Sequence, residues 1–191
     1  GAVLVQGNYI GTDVSGMTGL GNQLSGVYAF GMGSIQIGGG EPGSMNVISA
    51  NGLFGVYVED GSNEVSVFGN RIGTDRAGTI ALGNIKGGIR LAGTGHEVGA
   101  SFEGARNLIS GNGGPGIAIF SGSTGIVIRN NYIGTDHSGT AAIGNATGIE
   151  VGLGGGDTSV IIGGTAFGQG NLISGNDGDG LLLYRGATVQ G

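Results

Sequence analysis

Three acidic loops are the most specific polar feature of the sequence: DVSGMTGLGN from Asp13, DRAGTIALGN from Asp75 and DHSGTAAIGN from Asp136. An aspartate among glycines and backbone carbonyls supplies the oxygen donors that Ca²⁺ accepts. Each loop brings a single carboxylate, however, where tight calcium sites gather several. The calcium-binding nonapeptide GGxGxDxUx is absent. The same residues also make an Asx-type turn, in which the carboxylate accepts backbone N–H bonds. The turn is the preferred reading and no cofactor is expected; calcium at Asp13, Asp75 and Asp136 is the minor alternative.

Other chemistry is thinner. Glycosidic cleavage needs two carboxyl groups at a defined separation, and Glu59 and Glu150, with Arg90 between them in sequence, are the residues to consider. His96 lies in TGHEVG beside Glu97, and His137 follows Asp136 in a loop whose counterparts carry Val14 and Arg76. A role shared by the three loops therefore cannot depend on His137, and both histidines read as solvated loop side chains. The segments GGGEPG and GLGGGD are glycine-rich but follow no strand-to-helix pattern, which argues against a phosphate loop. No catalytic residue is assigned, and the chain is not expected to be an enzyme.

Composition narrows the classes further. The 191 residues include 49 glycines and two prolines, yet 38% are hydrophobic and only 10% charged. A disordered chain has the opposite balance, so the glycines indicate a folded protein with many tight turns. The net charge of −6 comes with no basic patch, which disfavours nucleic acid as a partner. No apolar run is long enough to span a bilayer. Cysteine is absent, which suits an exported repeat protein. The chain starts at Gly1 with no signal peptide, so either a leader has been removed or this is a piece of something longer.

What must position these residues is a repeat. GNYIGTD from Gly7, GNRIGTD from Gly69 and NNYIGTD from Asn130 are near copies; their aspartates stand 62 and 61 residues apart. The trailing Gly-Asn pairs ending at Asn22, Asn84 and Asn145 keep the same spacing. A second family interleaves, MNVISAN, RNLISGN and GNLISGN, with Asn46, Asn107 and Asn171 separated by 61 and 64. Short alternating strands begin at Val27, Val56, Ile89, Ile117, Ile149 and Leu181, roughly 30 residues apart, with no helical period between them. That pattern predicts a solenoid of β-coils, two coils per repeat. Each coil holds three strands: VYAF (27–30), SIQIG (34–38) and NVIS (46–49) in one type, VYVE (56–59), EVSVF (64–68) and NRIGT (70–74) in the other.

Alignment of the coils predicts which side chains stack. An asparagine row (Asn8, Asn46, Asn70, Asn107, Asn131, Asn171) and an isoleucine row two residues on (Ile10, Ile48, Ile72, Ile109, Ile133, Ile173) share one side of their strands. The isoleucines belong inside, and amides stacked at about 4.8 Å can bond to one another. Counting five residues from each asparagine gives a third row, Asp13, Asn51, Asp75, Asn112, Asp136 and Asn176. Its alternation of acid and amide would keep carboxylates apart. Outward rows read Tyr28, Tyr57, Arg90, Ala118, Glu150, Leu182, then Phe30, Glu59, Ala92, Phe120, Gly152, Tyr184, and, on the third strand, Tyr9, Val47, Arg71, Leu108, Tyr132, Leu172. Glu59 and Glu150 then stand three coils apart, on the order of 14 Å, too far for an acid pair.

The motifs Ile72–Asp75 with Ala81–Asn84, and Asn107–Asn112 with Asn171–Asn176, give the chain a resemblance to right-handed parallel β-helix repeat proteins of the pectate-lyase-like superfamily. It is similar above all to the IGTD…ALGN and NLISGN repeats of large secreted or surface bacterial proteins. The likeness covers essentially the whole chain. It implies an all-β, right-handed parallel β-helix of about six coils in a single domain, 1–191, with repeats at approximately 7–68, 69–129 and 130–191. It also implies an extracellular or cell-surface setting.

The functional expectation is a structural one: a segment of a filament, fibre or adhesin stalk that assembles with itself, head to tail, through the solenoid ends. Gly7, Gly69, Asn130 and Gly191 are equivalent repeat positions, so the chain stops where another copy would begin. A carbohydrate-binding or polysaccharide-cleaving β-helix is the rival. The outward aromatic rows would then stack sugar, or else make lateral protein contacts if the ten-residue insertions leave them uncovered.

Overall fold

The computed structural model describes residues 3–31, 33–154, 158–184 and 187–190. Gly155, Gly156 and Asp157 of GLGGGD, and the terminal Gly1 and Gly191, lie outside the described residues. The described residues form nineteen strands, numbered along the chain, and every third strand joins the same sheet. One sheet stacks β1 (Val3–Val5), β4 (Ile35–Gly38), β7 (Val65–Phe68), β10 (Glu97–Val98), β13 (Ile126–Ile128), β16 (Val160–Ile162) and β19 (Ala187–Val189). The second stacks β2 (Tyr9–Ile10), β5 (Val47–Ile48), β8 (Arg71–Ile72), β11 (Leu108–Ile109), β14 (Tyr132–Ile133) and β17 (Leu172–Ile173). The third stacks β3 (Val27–Ala29), β6 (Phe54–Val58), β9 (Gly87–Leu91), β12 (Pro115–Phe120), β15 (Thr147–Leu153) and β18 (Leu181–Leu183). All named pairings are parallel, which makes the fold an all-β parallel solenoid of about six coils.

The strands are short because each coil must turn three corners, and glycine supplies most of the positive-φ positions the corners need. Between corners, alternation sends every second side chain inward. The isoleucine row pairs in register from Ile10 through Ile48, Ile72, Ile109 and Ile133 to Ile173. Its four middle members are fully buried, and the two end members are partly buried against the same core. Two inward rows from each of the other sheets share this core, Ile35 to Val160 and Ile37 to Ile162 in the first sheet, Val56 to Ile149 and Ala29 to Val151 in the third.

The asparagine row is a ladder of side-chain hydrogen bonds. The Nδ2 of Asn8, Asn46, Asn70, Asn107 and Asn131 each donates to the Oδ1 of the next asparagine at 2.9–3.1 Å. A second N–H of each inner amide goes to a backbone carbonyl one coil back, Val5, Ile37, Val67 or Val98. Both amide hydrogens are thereby satisfied at a buried corner. One outward row departs from strict alternation: a bulge in β15 sets Leu153, not Gly152, opposite Phe120.

Candidate functional site

The acidic loops are built around their own aspartates. Each is closed by an antiparallel bridge, Thr12 to Gly19, Thr74 to Ala81 and Thr135 to Ala142. Asp75 Oδ1 accepts the backbone N–H groups of Thr79 at 2.7 Å and Ile80 at 2.9 Å. Asp136 accepts those of Thr140 and Ala141 at 2.9 and 3.1 Å, with the Ser138 hydroxyl at 2.6 Å. Asp13 repeats the arrangement with Ser15, Met17 and Thr18. The Ser138 hydroxyl and the Ala141 N–H hold the Asp136 carboxyl down at about 2; Ser15 leads the same downward shift at Asp13. The carboxylate oxygens thus serve as turn acceptors, and among the described residues no group of three or more His, Cys, Asp or Glu comes together around a cation-sized space. Removing divalent ions with a chelator is expected to leave the melting temperature unchanged. A rise on adding Ca²⁺, lost in Asp75→Asn, would contradict the turn assignment by linkage.

The alternating acid–amide row does not form. The second ladder runs through Asn22, Asn51, Asn84, Asn112, Asn145 and Asn176, with Nδ2 to Oδ1 distances of 2.8–3.0 Å. A ladder member must donate and accept at once; asparagine does both, whereas an ionised aspartate only accepts. The chain therefore leaves the coil at Asp13, Asp75 and Asp136 and returns at the Gly-Asn pair that ends each loop.

Outside the solenoid core the three loops form a column of their own. Arg76 N–H donates to Gly16 O at 2.8 Å and His137 N–H to Gly78 O at 2.9 Å, so loops two coils apart touch directly. The column lies over the outward row of the second sheet and buries Val47 and Leu108. The approach is close: a Cβ at Gly78 (φ 71°) would stand 2.7 Å from Leu108 Cδ2. The His137 side chain is exposed.

His96 corrects a sequence expectation, since it is not a solvated loop residue but 1% exposed. Its Nδ1 accepts the Val65 N–H at 3.1 Å and its Nε2 lies 3.0 Å from Ala92 O, so the neutral ring protonated at Nε2 satisfies both contacts. Burial lowers its pKa, with the bond to Ala92 opposing. The native state therefore disfavours the proton more than the unfolded chain does. The stability this contributes is complete above the ordinary value of 6.5 and is lost as the pH falls below it. Asp13 and Asp136, also depressed, lose their contributions only at lower pH, below about their ordinary 3.8. Between pH 7 and 5 the urea midpoint should fall in the wild type and stay flatter in His96→Gln; parallel curves would refute the assignment.

The third sheet carries the most elaborate outward cluster. Tyr28, Tyr57 and Arg90 are consecutive partners in register. Tyr28 and Tyr57 meet edge to face at 5.2 Å, and Phe54 packs on Tyr57 at 5.8 Å. The Arg90 guanidinium lies between the rings of Tyr57, at 4.2 Å, and Phe120, at 3.9 Å. Glu59 accepts the Tyr28 hydroxyl at 3.1 Å and stands 3.8 Å from Arg90. Burial, followed by Glu59, raises the Tyr28 pKa. Leu24, Ser25, Leu53 and the two tyrosines line an apolar depression of about 290 Å³ beside this cluster. Glu150 is two strands beyond Arg90 in the same row, so Glu59 and Glu150 do not converge. Sequence reading placed these residues on one face but missed the arginine sandwich, which depends on side-chain reach across coils.

Ladders, loop column and core together define a parallel β-solenoid repeat protein. No family model matches the chain, and no curated protein or solved structure is significantly similar to it.

Proposed function

We propose that the chain is a structural segment of an extracellular or cell-surface filament, fibre or adhesin stalk, joined head to tail with further coils of its own kind. The proposed role is mechanical, and it takes with it the likeness to the pectate-lyase-like repeats. The observation that carries it is the polarity of both ladders. Among the described residues Asn8 Oδ1 and Asn22 Oδ1 accept no hydrogen bond. At the other end, among the described residues, the Asn171 and Asn176 amides each donate once, to Ile128 O and Ile133 O, where the inner amides donate at least twice. One face offers acceptors where the other offers donors, and the terminal strands of each sheet are paired on one side only. Such edges are templates for a further coil. A contact between different faces gives an open filament when it advances with little net rotation.

Fusing a charged, proline-containing segment after Gly191 tests the reading by blocking one edge. Sedimentation should show the unmodified chain growing with concentration and the fused chain remaining single. Identical sedimentation as single particles would sink the proposal.

The Tyr28–Tyr57–Arg90 cluster favours a second reading, carbohydrate binding, because the exposed Tyr28 ring, beside the half-buried Tyr57 and an arginine, suits a sugar face. Titration with neutral and acidic oligosaccharides should then give binding that Tyr57→Ala abolishes. Absence of binding to both classes removes this alternative.

A further inference from the structure

The connections from the first sheet to the second alternate in length along the solenoid. Residues 39–46, 99–107 and 163–171 form long loops two coils apart, with short corners at 69–70 and 129–131 between them. The short corners differ in one residue. Gly69 (φ 64°) carries no side chain, and loops 39–46 and 99–107 close over it, so that an added Cβ would collide with Gly39 O and Gly104 O. The equivalent Asn130 keeps the same left-handed backbone, φ 55°, but its amide reaches into the loop stack. Its Nδ2 donates to Ala100 O at 2.7 Å, and its Oδ1 accepts Nε–H and Nη2–H of Arg106 at 3.2 and 3.0 Å. Loops 99–107 and 163–171 stay apart, and a cleft of about 420 Å³ opens between them, with Phe102, Glu103, Arg106, Asn130 and Phe167 on its walls.

We infer that this cleft binds a small organic anion with a flat apolar face, of the chemical class of the aromatic monocarboxylates. The inference does not depend on the head-to-tail reading. Its volume lies within the ~300–1,000 Å³ typical of small-molecule sites. Arg106 is held ready for an anion. Its guanidinium lies 4.2 Å from the centre of the Tyr132 ring, and Asn130 fixes Nε and Nη2. Nη1 has no protein acceptor among the described residues, and Glu103 of the same cleft forms no ion pair with Arg106. A guanidinium already held in place binds a carboxylate with less ordering to offset. The rings supply the apolar walls. Phe102 is anchored edge-on against the buried Phe68 at 5.5 Å, whereas Phe167 is fully exposed. A flat ring in the cleft covers apolar surface on both. Glu103 repels a second anionic group, which limits the ligand to one negative charge.

Calorimetric titration of the full chain with 2-naphthoate, and with 2-naphthamide as its neutral counterpart, tests the assignment. The cleft lies on the side of the solenoid, so single particles and filaments can be titrated alike. The carboxylate is expected to bind about tenfold more tightly than the amide, the worth of one charge-assisted hydrogen bond. Arg106→Gln should erase that preference, and Phe167→Ala should weaken both probes by a similar factor. Both variants replace exposed side chains, so the fold survives them. Asn130→Gly, which puts the residue of the closed corner in this one, should abolish binding. No heat from either probe would overturn the site. Equal affinity for the two probes, or a preference that survives Arg106→Gln, would overturn the anion assignment. Unchanged affinity in Phe167→Ala or Asn130→Gly would show that the probes bind elsewhere and would overturn the site as well.

Discussion

Ile72→Asp is expected to cost roughly 3–5 kcal/mol, because it puts a carboxyl group in the core where no free donor waits for it. Ile72 is fully buried between Ile48 and Ile109, and the nearby Asn84 amide has both N–H groups already committed, to Ile48 O and Asn112 Oδ1. The aspartate either stays ionised without a counter-charge or takes up a proton, and each outcome disfavours the folded coil. A solenoid transmits damage mainly to its neighbours. Amide exchange should therefore accelerate most around Ile48 and Ile109, and less at Ile10 and Ile173. An unchanged urea midpoint would show that the strand register is wrong.

Gly73→Ala should be nearly as damaging, on the order of 3 kcal/mol, from strain and overlap combined. At φ 91° a Cβ here would lie 2.3 Å from both Ser110 O and Asn112 Oδ1. Neither neighbour can yield cheaply: one is backbone and the other belongs to the second ladder. The equivalent Gly11 and Gly134 face Ser49 O and Ser174 O in the same way, which explains why all three IGTD motifs carry glycine there. Gly61→Ala separates the two causes. Gly61 has a similar φ, 84°, but nothing within 4 Å of the added atom. It should lose only about 1 kcal/mol, the conformational part. Equal losses at Gly61 and Gly73 would show that close coil-to-coil approach is not the constraint.

The stacking rows were legible in the sequence because a solenoid converts sequence period directly into spatial neighbours. Each ladder asparagine, Asn8 to Asn171, stands immediately before the short strand that carries its isoleucine, Ile10 to Ile173, with no insertion between, so counting residues counts positions. The count failed where the chain leaves the coil. Asp13, Asp75 and Asp136 are five residues from the ladder asparagines in sequence, yet they begin excursions, and the Gly-Asn pairs that end each loop take the row positions. The requirement for a residue that both donates and accepts was the signal that could have separated them. His96 reads as solvated because it lies between Gly95 and Glu97, while in the fold its ring is held inside by the backbone of Val65 in the preceding coil and of Ala92. The arginine sandwich and the Leu153 bulge depend on side-chain reach and local backbone irregularity, neither of which a period encodes.

The central claim is axial continuity, and electron microscopy of the concentrated full-length chain, with fibre diffraction from the same sample, tests it most directly. The account predicts unbranched rods with a meridional spacing of about 4.8 Å and an advance of roughly 29 Å per copy. Single particles at every concentration, or rods whose axial advance does not correspond to six coils, would contradict it.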